Sequence, residues 1–156
     1  MMKKIIILGI TLLIFITGCK AESERKMICT RTANMNGVKM DLRYEVTYQG
    51  NNVNKVQTTE KVESTSKETL NTYKETVENL YSNFDNIDHY NYDVKIDGNT
   101  LTSTTDIDYT KIDIDKLLEI DSSIEQLLND DNKVDLEKIT QVYKSAGASC
   151  KTNEEG

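Results

Sequence analysis

The sequence predicts an α+β domain: an antiparallel β-sheet of about five strands, arranged as a meander plus a hairpin, with a central amphipathic helix and C-terminal helices packed on it. Three observations carry that prediction. Apolar residues alternate with period two in several runs, they recur at steps of three and four in a stretch between those runs, and turn-forming Asn, Asp and Gly residues punctuate them. The absence of proline leaves no slow isomerisation step to expect in folding.

What precedes the domain decides where it works. Lys3 and Lys4 stand before an apolar run over residues 5–15, and Ile16-Thr17-Gly18-Cys19 closes it. The run is shorter than the roughly 20 apolar residues that span a bilayer, and a small residue precedes a cysteine where it stops. This reads as a bacterial lipoprotein signal over residues 1–18 with a lipobox at Cys19; an ordinary secretory signal with a chance cysteine is the alternative. Cleavage before Cys19 would leave a thiol for a diacylglycerol, and two or three acyl chains anchor a protein stably where one does not. The expected location is the extracytoplasmic face of the cell membrane, and the composition, rich in Lys, Asn, Ile and Asp, leans toward a Gram-positive cell.

Removal of the leader leaves 138 of the 156 residues, one domain of ordinary size. It also removes two lysines, so 17 basic residues face 26 acidic ones, a formal charge of −9. That balance argues against nucleic acid and against an electrostatic grip on anionic lipid. Residues 19–26 are polar and aperiodic, a lipidated cysteine and tether. Seven extended residues reach about 25 Å, which keeps the domain near the membrane.

The domain is expected over residues 27–150. Residues 27–33 are rich in apolar and β-branched types, and Asn34 to Gly37 supply a turn. Met40, Leu42, Tyr44, Val46 and Tyr48 then alternate with Asp41, Arg43, Glu45 and Thr47, the pattern of a half-buried antiparallel strand. Gly50-Asn51-Asn52 turns the chain, and Val56, Thr58 and Val62 return at even steps around the polar Glu60. Next, Thr65 and Glu68 fit a capping box before a helix whose apolar positions are Leu70, Tyr73, Val77, Leu80, Tyr81 and Phe84. Period two resumes with Tyr90, Tyr92, Val94 and Ile96. Asp97-Gly98 predicts a type I′ hairpin into Leu101, Ser103, Thr105, Ile107 and Tyr109. Ile114, Leu117 and Leu118, then Ile124, Leu127 and Leu128, indicate short helical turns. After an acidic loop over residues 129–133, Asp135 can cap a last helix whose apolar positions are Leu136, Ile139, Val142 and Tyr143, with Gly147 just past its end. Residues 151–156 are expected to be a disordered tail.

Cys29 and Cys150 are the cysteines left after Cys19. Outside the cytoplasm such a pair reads first as a disulfide, closing a loop of over a hundred residues, for which the chain-entropy model gives about 4 to 5 kcal/mol. Two free thiols, or a redox or metal pair, are the other readings.

The layout resembles the YehR-like family of small bacterial lipoproteins, which has no assigned biochemical function. The resemblance is carried by the lipobox at Cys19, by Thr32-Ala33-Asn34-Met35-Asn36-Gly37 entering the strand over residues 40–48, and by the turn Tyr48-Gln49-Gly50-Asn51. Ile112-Asp113-Ile114 and the helix end Tyr143-Lys144-Ser145-Ala146-Gly147 complete it. It implies an exported, lipid-anchored antiparallel sheet with helices packed on it, and it offers no catalytic residues to carry over. Cys29 and Cys150 depart from its pattern.

No catalytic set assembles. His89 is the single histidine, so the paired histidines of a metalloprotease helix are lacking, and no phosphate-cradling glycine loop is present. Asp106, Asp108, Asp113 and Asp115 form one acidic cluster able to offer hard oxygen ligands to calcium, and Asp130, Asp131 and Asp135 form another. Neither has EF-hand spacing, and a solvated acidic surface is the simpler reading. The expectation is a non-enzymatic module without cofactor. It would be held to the membrane by lipid on Cys19 and would bind a protein, peptide or envelope component. A small-ligand or divalent-cation carrier serving a membrane transporter is the alternative, and a wall hydrolase using Asp106 and Asp108 a distant third. Tyr44, Tyr48, Tyr90 and Tyr92 fall on the apolar sides of their strands, where burial under helices is their expected fate.

Overall fold

The computed structural model describes residues 22–153, so the leader, Cys19 and residues 154–156 lie outside the described residues. One antiparallel sheet holds six strands: β1 (Arg25–Met35), β2 (Val38–Gln49), β3 (Asn52–Glu63), β4 (Tyr90–Asp97), β5 (Thr100–Asp108) and β6 (Ser149–Asn153), in the order β4-β5-β3-β2-β1-β6. The meander is β1 to β3. The hairpin β4–β5 docks through β5 onto β3, from Lys55 opposite Asp108 to Glu63 opposite Thr100.

The count of about five is thus corrected to six. Residues 151–153, read as part of a frayed tail, pair with β1, where Lys26 lies opposite Asn153 and Cys29 opposite Cys150. Ser-Cys-Lys-Thr-Asn has no apolar alternation to announce a strand, and its partner strand supplies the pairing. At the other end, strand structure begins within residues 19–26, the stretch expected to be a tether. Arg25 and Lys26 belong to β1, the Glu22 carbonyl accepts a hydrogen bond from Gln49 Nε2 at 2.6 Å, and Glu24 Oε1 accepts one from Asn54 Nδ2 at 3.0 Å. Glu22 lies so close over the β2–β3 turn that a Cβ on Gly50 would stand 2.6 Å from its carboxylate.

The hairpin turn also differs from expectation. Asp97 pairs with Thr100, so Gly98 and Asn99 are the central residues, and of the two Gly98 alone has positive φ, at +58°. That is the II′ pattern, with glycine at the first central position, rather than I′.

All the helices lie on one face. α1 (Lys67–Tyr81) is capped by Ser66, whose Oγ accepts from the Thr69 amide at 3.2 Å, so the cap sits one residue beyond Thr65. Its buried stripe runs through Leu70 and Val77 to Phe84 in the 3-10 turn that follows, while Leu80, off that stripe, is 57% exposed. α2 (Ile114–Ile120) starts at Asp113, whose Oδ1 accepts from the Lys116 amide. α3 (Leu136–Ser145) starts at Asp135, whose carboxylate accepts from the Glu137 and Lys138 amides at 2.9 and 3.0 Å. Its end is a Schellman motif: the Gly147 amide donates to Lys144 O and the Ala148 amide to Tyr143 O, which turns the chain into β6.

Packing follows from this layout. α1 lies over β4 and β5, and α3 lies beside β6. Beneath them are three apolar clusters: Val62, Leu70 and Leu101 under α1; Phe84, Ile87, Ile112 and Leu117 around α2; and a larger one from Met27, Cys29, Val46 and Val56 to Leu128, Val134 and Ile139. Each fully buried leucine contributes about 1.5–3 kcal/mol relative to exposure.

Candidate functional site

The strand register divides the sheet into two chemically distinct faces. Away from the helices stand Lys26, Lys39, Asp41, Arg43, Glu45, Lys55 and Asp106, which largely neutralise one another: Lys39 meets Asp41 at 2.6 Å, Lys26 meets Glu45 at 2.9 Å and Lys55 meets Asp106 at 2.9 Å. Exposed pairs of this kind contribute about 0 to 1 kcal/mol each. They leave this face as a mixed-charge, threonine-rich surface.

The acidic residues singled out in the sequence have separate duties. Asp106 pairs with Lys55, and Asp108 accepts from Thr110 and pairs with Lys111, bonds that hold its carboxyl down at about 2. Asp113 caps α2, Asp115 lies in that helix's first turn, and Asp135 caps α3 and accepts from Asn51 Nδ2 at 2.6 Å. Among the described residues, no three His, Cys, Asp or Glu side chains converge as a metal ion would require. His89 is exposed, with φ +68°, and its carbonyl accepts from the Asp108 amide.

On the helix-covered face, the tyrosines pack as their strand positions predicted. Tyr44 stacks on Tyr143 with centroids 4.0 Å apart, Tyr90 on Phe84 at 4.5 Å, Tyr92 tilts against Tyr81 at 5.4 Å, and Tyr48 is buried. Burial raises the phenols of Tyr90 and Tyr143 well above the usual range and that of Tyr109 to about 12, so all remain neutral hydroxyls. One charge lies among them. Glu60, the polar residue at an inward step of β3, accepts from Tyr73 Oη at 2.6 Å and from Ser103 Oγ at 3.4 Å, and it has no ion-pair partner among the described residues. Burial, then the hydrogen bond to Glu60, raises the Tyr73 phenol. Opposite Glu60 on β2 is Leu42, half-buried and outside all three apolar clusters.

A concavity lies elsewhere, between α3 and β6. It has a volume of about 1020 Å³ and is lined by Met27, Leu136, Thr140, Lys144, Cys150 and Thr152 among others. Cys29 and Cys150 are bonded across the β1–β6 pair, with Cα atoms 3.9 Å apart, so the groove's strand wall is covalently fixed to the sheet. Sequence reasoning missed this groove because it missed β6. The available signal was Cys150, whose bond to Cys29 requires the chain after α3 to return beside β1.

The model of the family described as "Protein of unknown function (DUF1307)" matches residues 29–149, most of the chain. The chain belongs to that family. As a DUF1307 member, it is similar in fold to the Escherichia coli YehR protein, solved by NMR: 24% identity, TM-score 0.54, covering 86% of this chain and 94% of that one. It also resembles a Streptococcus pneumoniae TIGR4 protein, solved by NMR, at 16% identity and TM-score 0.51, covering 97% and 99% of the two chains. These likenesses establish a YehR-like fold and no activity. No curated protein matches the chain.

Proposed function

We propose that this DUF1307 protein is a lipid-anchored, extracytoplasmic and non-catalytic binding module that engages a protein or peptide partner at the cell envelope. The single observation that carries the binding half is the α3–β6 groove, an open concavity of about 1020 Å³ with a predominantly apolar lining beside a sheet edge. The location rests on Lys3, Lys4, the apolar run and Cys19. A disulfide between Cys29 and Cys150 suits an oxidising compartment.

Lipidation of Cys19 would also fix an orientation. Glu22 lies against the β2–β3 turn, so only Lys20 and Ala21 separate that end of the sheet from the anchor. The same end holds Asn153, opposite Lys26, and the start of α3, where Asp135 bridges Asn52. The groove then runs from the membrane end outward, along α3, toward the cell exterior.

The test has two arms in intact cells. Metabolic labelling with an alkynyl fatty acid should tag the wild-type protein and not Cys19→Ala, which should leave the membrane fraction. A photo-crosslinking residue at Gln141, on the groove wall, should capture a discrete partner, whereas one at Asp93 on β4 should not. An unlabelled wild type removes the anchor from the account, and equal or absent crosslinking at both positions removes the binding site.

A second reading, a carrier of a small ligand or divalent cation serving a transporter, is favoured by Glu60, an inward carboxylate with hydroxyl partners and no Lys or Arg paired to it among the described residues. A ligand present at 100 times its dissociation constant adds about 2.7 kcal/mol to stability. A melting temperature unmoved by calcium and manganese therefore sinks its cation form.

A further inference from the structure

We propose that the α3–β6 groove receives an extended, acidic segment of a partner protein, which pairs with β6 as a seventh strand. This rests on the reading of the chain as a binding module and names the chemistry of what it binds.

The backbone provides the first argument. β6 ends the sheet, and among the described residues no strand pairs with its outer side. An edge strand presents a row of N–H and C=O groups that template another chain, and proteins ordinarily blunt such edges with bulges, charges or a covering element. Here α3 stands beside the edge and leaves a groove along it. That is the arrangement of a strand-addition site, in which main-chain hydrogen bonds give affinity and alternate side chains enter pockets. Met27, Leu136 and Thr140 supply an apolar wall for the inward-pointing residues of such a segment. Five residues of β6, at about 3.4 Å each, match a segment of about 17 Å. Because the Cys29–Cys150 bond holds β6 in place, less ordering is lost on binding.

Charge then selects the segment. Lys144 and Lys151 line the groove, and neither forms an ion pair among the described residues, although the chain as a whole carries −7. Lys144 lies in the last turn of α3, where the helix dipole alone favours a cation; Lys151, on β6, has no such reason. One carboxylate, Glu137, lines the groove near the start of α3, so the positive end is the one farther along the helix. Lys151 pairs with Ile28 and so stands on the sheet face away from the helices, while Lys144 faces the groove from α3; acidic side chains on a partner strand complement the two lysines from its two faces, and basic ones do not.

The test uses the full-length chain in detergent micelles and a fluorescein-labelled eight-residue peptide of alternating valine and glutamate, read by fluorescence anisotropy. Two control peptides accompany it: one with lysine for every glutamate, and the acidic peptide N-methylated at alternate amides. The acidic peptide should bind at least tenfold more tightly than the lysine peptide and weaken as salt rises. N-methylation in the register that faces β6 should cost at least tenfold, and K144E/K151E should invert the charge preference. No binding of the acidic peptide, equal binding of acidic and basic peptides, or indifference to N-methylation in both registers would overturn the proposal. So would self-association through β6 that excludes the peptide, seen by sedimentation. The methylated peptides leave the protein unaltered, so a poorly folding variant cannot obscure the outcome. Capture of a partner at Gln141 in cells, without any peptide preference in vitro, would leave the binding module standing and remove strand addition.

Discussion

The two edges of the sheet are closed by different means. β4 is eight residues long, carries Asn91, Asp93, Lys95 and Asp97 at exposed positions, and is roofed by α1 and by the Phe84–Tyr90 and Tyr81–Tyr92 ring contacts. β6 is five residues long, has a helix beside it rather than over it, and is joined to its neighbour by a disulfide. One edge is protected by charge and packing, the usual defences against unwanted strand pairing. The other, short and carrying the exposed Lys151, has no strand on its outer side among the described residues and is secured from behind by the disulfide. This contrast underlies the proposed strand-addition site at β6, and each prediction below breaks or sharpens it.

The largest effect belongs to the β6 edge. Replacing both Cys29 and Cys150 by serine releases a constraint spanning 121 residues, for which the chain-entropy model gives about 4 to 5 kcal/mol. The urea midpoint should fall accordingly, and the amides of β6 should exchange before those of β4. An unchanged midpoint would mean that backbone pairing alone holds β6. Next comes the β4 side: Leu101 is fully buried against Val62 and Leu70, and Leu101→Ala should cost about 3 kcal/mol by the same measurement while leaving β6 protection in its original rank. If Leu101→Ala instead frees β6 first, the two edges are not independent.

A smaller loss is expected at the groove's helical wall. Asp135→Ala removes both N-cap bonds of α3 and the bond from Asn51, for about 1 to 2 kcal/mol, and should weaken peptide binding as the helix start frays. The smallest effect concerns pH, at the end of the β4–β5 hairpin. The folded carboxyl of Asp108 sits at about 2, below its ordinary 3.8, because Thr110 and Lys111 bond to the ionised form. Its contribution is therefore present above about pH 4 and is lost as pH falls through about 2. Asp108→Asn should flatten the stability curve across that window alone, which acid unfolding followed by circular dichroism would reveal. A difference between the two proteins that persists in size down to pH 1 would contradict the assignment.

Much of this fold was legible because its signals are periodic. The alternation from Met40 to Tyr48 and the stripe Leu70, Tyr73, Val77 and Phe84 are properties of local sequence, and each settled both the element type and its buried face. Even Glu60 was visible as a polar residue at an inward step. What escaped lacked a period: Ser149 to Asn153 became a strand only because β1 offers it an edge. Fine geometry escaped as well, where neighbouring residues compete for one role. Ser66 caps α1 in place of Thr65, and the hairpin turn centres on Gly98 and Asn99 rather than on Asp97 and Gly98. The groove is a tertiary product of α3 and β6, so no single stretch encodes it. The disulfide partners implied the juxtaposition before the strand itself could be recognised.

Amide hydrogen exchange of the full-length chain, with and without the alternating valine–glutamate peptide, addresses the central claim most directly. Pairing of a new strand should slow exchange at amides within Ser149–Asn153 and leave Tyr90–Asp97 unchanged. Protection that appears on β4 instead, or no change at β6 when the peptide saturates the protein, would contradict the account.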